Sequence, residues 1–414
     1  MSVRKRTWTT PKGEEKSAWV VDYTDQQGKR RLKTFTKKKE ADQFAATATV
    51  EVREGVHVAD SASVTVEKAG QFWIRSGEAA GLERSTINQR KSHLENHIVP
   101  MIGQVLLSKL TVPAVRDFED RMRKEGRSAA MVKKVLTSLG SILADAGERG
   151  LAMRNPVRDI RGSRKGRDRR QEKRQKGRLE VGVDIPTREE IKALVAALDD
   201  HWRPLLVTAI FTGMRSSELR GLRWQDVDLK RGQISVNQRA DQFKEIGPTK
   251  SEAGVRTIPV PPPVINALKT HRLKQVNKAE LVFANPDGEP RSHTNIVNKG
   301  LIPAMVRAGV VIETGKDEKG ASILKAKYTG MHALRHFHAS WLINRKEDGG
   351  LGLPAKMVQE RLGHASIVMT MDVYGHLFPR ADDGTELGRV PITGFMLVLV
   401  CDSISRKGDC HAPS

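Results

Sequence analysis

A run of basic residues near the middle of the chain limits how the sequence can fold. Residues 161–178 hold ten Arg or Lys residues and two acidic residues, with almost no apolar side chains. Such a segment cannot bury a core, so it predicts a basic linker, which we assign to residues 161–185. The cations of this segment would strengthen binding to a polyanion. Alternatively, the segment is only a flexible tether between two domains.

The whole chain is long enough for several domains and is strongly basic. Its 414 residues predict two or three domains, and a 38% hydrophobic fraction argues against wholesale disorder. The 71 Lys and Arg residues against 49 Asp and Glu residues give a net charge of +22. This excess indicates nucleic acid or an anionic membrane as a partner, although a basic protein need not have one.

Three observations narrow the class of protein to which this chain can belong. The two cysteines, Cys401 and Cys410, provide neither a disulfide framework nor a paired-cysteine metal site. The basic N-terminus is not followed by an apolar segment typical of a signal peptide. The longest apolar run, Phe395–Cys401, has seven residues, and a membrane helix needs about 20. We therefore expect a cytoplasmic protein without membrane contact, and DNA or RNA as its leading partner.

Two regions precede the linker. Residues 1–60 predict a small α+β unit, with strands at Trp19–Tyr23 and Arg30–Phe35 followed by a helix whose apolar residues begin at Ala41. Basic residues crowd the hairpin, which suits groove binding or is simply solvated. Residues 61–160 predict an all-helical unit, with Thr111 capping one helix and Pro100 ending another. The clearest helical stripe consists of Val132, Val135, Leu136, Leu139, Ile142 and Leu143.

Residues 186–385 predict a mixed unit of helices and short strands, and residues 386–414 form a tail. Thr187 and Glu190 have the spacing of a capping box at its first helix. Strands are expected around Ile234–Val236 and Ile258–Val260, and the long turn between them carries Lys250.

Four short segments of this unit carry residues suited to phosphoryl transfer. They are Thr212-Gly-Met-Arg215-Ser-Ser-Glu218-Leu219, Pro248-Thr-Lys250-Ser with Arg256-Thr-Ile-Pro259, His332-Ala-Leu-Arg335-His336, and Leu362-Gly-His364 followed by Tyr374-Gly-His376. Arginine forks suit two phosphate oxygens, and residues three apart on a helix share a face. A lysine can donate a proton, and a phenolate can attack phosphorus. Such an assembly would work by positioning and charge stabilisation, so we expect no metal and no cofactor.

The order Arg, Lys, His-x-x-Arg, Gly-His, Tyr resembles that of the tyrosine recombinases, and among them the integrases of phages or conjugative elements. The resemblance covers nearly the whole chain. It implies a multidomain, mostly α fold with small β-sheets: an α+β arm-type DNA-binding domain, an all-α, SAM-like core-binding domain and a mixed α/β catalytic domain.

The resemblance also implies a role for each matching residue. Tyr374 would be the nucleophile that forms a 3′-phosphotyrosyl bond, and Arg215 and Arg335 would stabilise the phosphate charge. Lys250 would protonate the departing 5′-oxygen, His332 would assist proton transfer at Tyr374, and His364 would hydrogen-bond the phosphoryl group. Glu218 would orient neighbours of Arg215. We expect His336 and His338 to be packing or outer groups.

As implied partners we expect double-stranded DNA attachment sites, on which a homotetramer recombines two duplexes through a Holliday junction without ATP. The reaction would take place on the host chromosome, and DNA-bending and directionality proteins could assist it. A type IB topoisomerase would share the tyrosine chemistry, and a non-catalytic DNA-binding accessory protein would share the basic regions. The apolar stretch Phe395–Cys401 could dock on a neighbouring subunit or be an atypical extension.

Overall fold

We analysed a computed structural model, which describes residues 1–11, 13–25, 28–55, 59, 63–152, 154–163, 178–275, 279–316 and 320–379. The chain divides into two compact units, Met1–Lys176 and Gly177–Ser414. The basic residues from Arg164 to Lys176 and the tail 386–414, with its docking hypothesis, lie outside the described residues. Within the described residues, no helix combines the length and apolarity needed to cross a bilayer.

The first unit begins with an antiparallel sheet in the order β1 (Ser2–Thr9), β2 (Glu15–Thr24), β3 (Arg30–Phe35). Helix α1 (Lys38–Arg53) packs on one face, where Val21, Tyr23 and Ala41 form the buried core. The two expected strands lie within β2 and β3, which confirms that prediction. Strand β1 was not among the predicted elements.

The rest of the described residues of this unit are mainly helical, and six α-helices among them surround an apolar core. They are α2 (Val66–Ala79), α3 (Arg84–His93), α4 (Val99–Ile102), α5 (Val112–Lys124), α6 (Ala129–Glu148) and α7 (Pro156–Ser163). The stripe expected on α6 is confirmed, since Val135, Leu139 and Ile142 are buried. The prediction that Pro100 ends a helix is wrong. A π-helical segment, Leu94–Ile98, joins α3 to α4, and such a change of hydrogen-bond spacing can accommodate a residue that lacks an N–H.

The second unit contains nine α-helices within its described residues. They are α8 (Arg188–Ala197), α9 (Arg203–Thr212), α10 (Ser216–Arg220), α11 (Pro262–Lys274), α12 (His293–Asn295), α13 (Ile302–Arg307), α14 (Met331–Ile343), α15 (Ala355–Leu362) and α16 (Ile367–Tyr374). The predicted capping box at Thr187 and Glu190 is present at α8. Helix α9 packs on α14 through the main core, which includes Leu206, Ile210 and Leu334.

The strands that the structure describes in this unit form three small antiparallel sheets. One has the order β4 (Val227–Asp228), β5 (Gln233–Val236), β8 (Arg256–Pro259). A second pairs β6 (Gln238–Ala240) with β7 (Ile246–Pro248), and a third pairs β9 (Val311–Lys316) with β10 (Ser322–Ala326). The mostly helical fold with small sheets agrees with the sequence prediction.

Residues 178–185, which we assigned to the linker, pack against the second unit instead. Ile185 is fully buried in the core of this unit. The backbone carbonyl of Leu179 lies 2.7 Å from Nε2 of His376. The predicted linker therefore extends too far toward the C-terminus, because Leu179 and Ile185 pack in the core of the second unit.

Candidate active site

Arg215 lies in the short connection between α9 and α10. Helix α9 ends at Gly213, whose φ of +60° favours glycine, and Arg215 is the residue that precedes the first turn of α10. Its Nη1 donates to Glu218 Oε1 at 2.7 Å, and its Nη2 donates to the carbonyl of Gly363 at 3.0 Å. The Arg215 side chain keeps 30% exposure, so it can still receive a ligand.

Arg335 lies deeper, in the middle of α14, and is 2% exposed. Its Nη1 donates to the carbonyl of Gly213 and its Nη2 to the carbonyl of Leu362, both at 2.6 Å. Burial, with the charge of Arg215 nearby, lowers the pKa of the Arg335 guanidinium to about 9. The group is therefore protonated at neutral pH and is held by backbone oxygens rather than by a carboxylate.

Both arginines bind the turn that ends α15. Leu362 and Gly363 each present a carbonyl to one guanidinium, and His364 follows directly. Gly363 has a φ of +65°, and a Cβ there would lie 2.8 Å from Arg256 Nη1 and 2.9 Å from the carbonyl oxygen of Ala253. Only glycine fits this turn without strain or displacement.

Tyr374 is the last residue of α16 and is 2% exposed. Its hydroxyl lies 2.8 Å from Nδ1 of His336, and its ring is parallel to that of His364 at a centroid distance of 6.3 Å. Burial raises the pKa of the Tyr374 hydroxyl to about 12, although Arg335 and Arg215 act in the opposite direction. The phenol is therefore protonated at neutral pH, and it needs a proton acceptor before it can attack.

His336 is the group in contact with the Tyr374 hydroxyl, a contact that the expectation of a packing or outer residue left open. Burial, followed by the charges of His332 and Arg335, lowers the pKa of His336 to about 4. A neutral imidazole can accept a proton. The signal that could have revealed it is its spacing of four from His332 on α14, which puts both rings on one helix face.

His332 is exposed, and its ring meets that of His336 edge-on at 4.7 Å between centroids. Partial loss of water around the ring, and then the charges of Arg335 and Arg215, lower the pKa of His332. His364 is buried, with Nδ1 2.9 Å from Thr370 Oγ1. Burial and the neighbouring arginines lower the pKa of His364 to about 4.

Lys250 stands apart from the other predicted residues. It is exposed on the turn between β7 and the short helix Glu252–Gly254. Across the described ranges it makes no hydrogen bond or ion pair. The structure thus gathers five of the six predicted residues around the Leu362–Gly363 turn and leaves the lysine amine exposed.

Comparisons with known proteins identify the family of this chain. Residues 186–380 match the sequence model of the Phage integrase family, and residues 66–163 match that of the phage integrase central domain. The chain is similar to a XerC-like tyrosine recombinase of Caldanaerobacter subterraneus subsp. tengcongensis. The two are 25% identical over 387 residues, 86% of this chain and 90% of the relative.

Two solved structures share the fold. The Tn1549 transposon integrase in complex with a circular intermediate DNA has a TM-score of 0.61 at 19% identity, over 79% of this chain and 100% of that one. A lambda integrase dimer bound to a COC′ core site has a TM-score of 0.52 at 18% identity, over 91% of this chain and 97% of that one.

The chain therefore belongs to the phage integrase family of tyrosine recombinases. Its activity is site-specific recombination.

Proposed function

We propose that this chain integrates or excises a mobile element by cutting and rejoining DNA through a covalent bond to Tyr374. The observation that carries the proposal is the contact between the Tyr374 hydroxyl and His336 Nδ1, 2.8 Å apart, close to two arginines that are already oriented. A nucleophile, a proton acceptor and two cations in one cluster suit attack on a phosphodiester.

In the first step Tyr374 Oη attacks phosphorus, and its proton passes to the neutral imidazole of His336. A bond from phosphorus to the tyrosine oxygen forms, and the bond from phosphorus to the 5′-oxygen breaks. His332 remains among the proposed catalytic residues, because it is exposed and its ring contacts that of His336. Because Tyr374 is buried here, α16 must shift for the phenol to reach DNA.

Arg215 and Arg335 stabilise the charge that develops on the non-bridging phosphate oxygens. Their guanidinium groups are held by Glu218 and by three backbone carbonyls, so little reorganisation is needed when the charge appears. His364, beside the Tyr374 ring, hydrogen-bonds the phosphoryl group through the nitrogen that does not contact Thr370.

Lys250 donates a proton to the departing 5′-oxygen, which leaves as a hydroxyl. Its turn lies on the surface, where a DNA backbone can meet it. The 5′-hydroxyl of a partner strand then attacks the phosphotyrosine and reverses the chemistry. Two such exchanges pass through a Holliday junction and need no external energy source, since the covalent bond conserves that of the phosphodiester.

For DNA binding, we assign residues 1–60 to arm-type sites, 61–160 to the core site and 186–385 to catalysis. Arg4 and Arg30 are exposed on the sheet face opposite α1, around Asp22, and suit phosphate contact. A lambda integrase tetramer has been seen bound to a Holliday junction. We propose the same assembly for this chain, with DNA-bending and directionality proteins as possible helpers.

A covalent-adduct assay tests the proposal. The DNA junctions that flank the gene are mapped, and a nicked duplex carrying that sequence is incubated with the full chain. We expect a protein–DNA adduct that survives denaturation for the natural sequence, and none for Tyr374→Phe, which should still bind the duplex.

Tyr328→Phe is the matched control, because Tyr328 is also buried but donates to Glu190 at 2.9 Å, away from the arginines. It should form the adduct. An adduct that persists in Tyr374→Phe would remove Tyr374 as nucleophile. Relaxation of supercoils without any site preference would favour a topoisomerase.

A further inference from the structure

Arg256, at the start of β8, connects three of the segments that build the site. Its Nε donates to the carbonyl of Arg361 at 2.8 Å, and its Nη1 donates to the carbonyl of Gly254 at 2.9 Å. Both terminal nitrogens also donate to Glu218, at 3.2 and 2.9 Å. The side chain is only 6% exposed, so it cannot itself receive a phosphate without a large movement.

Each of these contacts reaches a different functional element. Gly254 ends the turn that carries Lys250, and Arg361 directly precedes the Leu362–Gly363 turn that holds both arginines. Glu218 is the carboxylate that orients Arg215. One buried guanidinium therefore ties the lysine turn, the α15 terminus and the Arg215 carboxylate together.

Glu218 is shared between two arginines. It is buried, and it accepts from Arg215 at 2.7 Å and from Arg256 at 2.9 Å. Burial would raise the pKa of this carboxyl, but the hydrogen bond and charge of Arg256, together with Arg215, hold it below its usual value. The carboxylate is therefore ionised.

The charge of this trio decides how well Arg215 can bind an anion. Two guanidinium groups and one carboxylate leave a net charge of +1. With Arg215 and Glu218 alone, the pair would be neutral, and the carboxylate would repel an approaching phosphate. Isolated buried charges interact strongly because little water screens them.

We propose that Arg256 is a positioning residue for strand cleavage: it balances the charge of Glu218, so that Arg215 keeps its positive charge for phosphate. This role rests on the proposed function, in which Arg215 binds the scissile phosphate. Arg256 does not touch the reacting atoms, and it acts through Glu218.

A charge-restoring double variant tests this role. Arg256→Gln makes the trio neutral and should slow single-turnover cleavage roughly 10- to 100-fold, by analogy with the outer groups that orient metal ligands. Arg256→Gln combined with Glu218→Gln returns the trio to +1. We expect it to cleave at least several-fold faster than Arg256→Gln alone, with the gain in the cleavage rate rather than in DNA affinity.

A purely structural role predicts the opposite, because the double variant removes more buried hydrogen bonds than the single one. A double variant no faster than Arg256→Gln overturns the proposal. Arg223→Gln is the matched control, since Arg223 also pairs with a shielded carboxylate, Asp226, at 2.7 Å but away from the site. It should cleave at the natural rate.

A second measurement does not depend on cleavage. Inorganic phosphate should raise the midpoint temperature of thermal unfolding of the natural chain. The part of this rise that is lost in Arg215→Gln is due to phosphate bound at this site. We expect Arg256→Gln to lose this part and the double variant to regain it. If no variant forms a covalent adduct, the proposed function fails, while the phosphate result still supports or overturns the role of Arg256.

Discussion

The two sides of the candidate site are built differently. On one side Arg215 and Arg335, which we call the arginine framework, are fixed by Glu218 and three backbone carbonyls. On the other side Lys250 lies exposed on a turn, and Tyr374 is buried at the end of a short helix. The groups proposed to stabilise charge are in place, whereas the proposed proton donor, Lys250, and the proposed nucleophile, Tyr374, are not yet together.

This difference indicates which part of the reaction the fold performs in advance. Oriented cations lower the barrier most when they need not move as charge develops. A lysine and a tyrosine that meet only around a DNA strand would limit cleavage to correctly bound duplexes. The next four predictions test this division.

The largest effect is expected at the framework. Arg335→Lys cannot keep both carbonyl contacts, so we expect cleavage to fall about 1000-fold and stability by roughly 1–3 kcal/mol. Arg215→Lys should lose about 100-fold in cleavage with little change in stability, because that side chain is partly exposed. Single-turnover cleavage and urea unfolding measure both. Equal destabilisation by the two changes would contradict the deeper role of Arg335.

Lys250→Ala should slow cleavage of an ordinary duplex about 100-fold, because the 5′-oxygen leaves poorly without a proton. A substrate with a 5′-sulfur leaving group needs no proton and should lose much less. Lys244→Ala is the control on the neighbouring turn, where Lys244 forms an ion pair with Glu289. Similar losses of rate on both substrates would exclude Lys250 as the acid.

His336→Asn should slow adduct formation at pH 7 by roughly 10- to 100-fold, since the phenol loses its proton acceptor. With the Tyr374 pKa near 12, the rate of this variant should rise with pH, whereas the natural chain should change little between about pH 5 and 8. His201→Asn is the control, because His201 is an exposed histidine that contacts Arg291 outside the site. A variant with the natural pH profile would show that His336 accepts no proton.

The smallest effect concerns His338, which is fully buried below the framework and would contact a Cβ at Gly213. Burial, and then the charge of Arg335, lower its pKa to about 3. The unfolded chain therefore takes up this proton first, near pH 6.5, and stability falls as the pH drops from there toward 3.

His338→Phe removes this titration and keeps a ring in place. As the pH falls from 6 to 5, the free energy of unfolding of this variant should decrease by about 1 kcal/mol less than that of the natural chain. Urea denaturation at each pH measures this difference. An unchanged slope would mean that His338 is not held neutral.

Local patterns in the sequence predicted much of the fold. Strand alternation identified β2 and β3, and the helical stripe identified α6, because their buried residues recur at the period of the element. Strand β1 has almost no such pattern, since its residues other than Val3 are exposed. Residues 2–9 form a strand because they pair with β2, and the local sequence does not predict that pairing.

The candidate site shows the same limit. The motifs brought out the arginines and the tyrosine, but His332 and His336 lie on one face of α14 and the sequence does not choose between them. The packing of α16 against that face decides that His336 meets Tyr374, 38 residues away. Arg256 depends likewise on contacts across 38 and 105 residues, to Glu218 and Arg361.

Residues 178–187 have a practical consequence for anyone who trims this protein. The Leu179 carbonyl contacts His376, two residues beyond Tyr374, and Thr187 caps α8 together with Glu190. Glu190 in turn accepts from Lys327 and Tyr328, just before α14. A fragment started at residue 188 would thus lose supports at both ends of the site. One started at Gly177 would keep them, so the useful cloning boundary lies upstream of the family match.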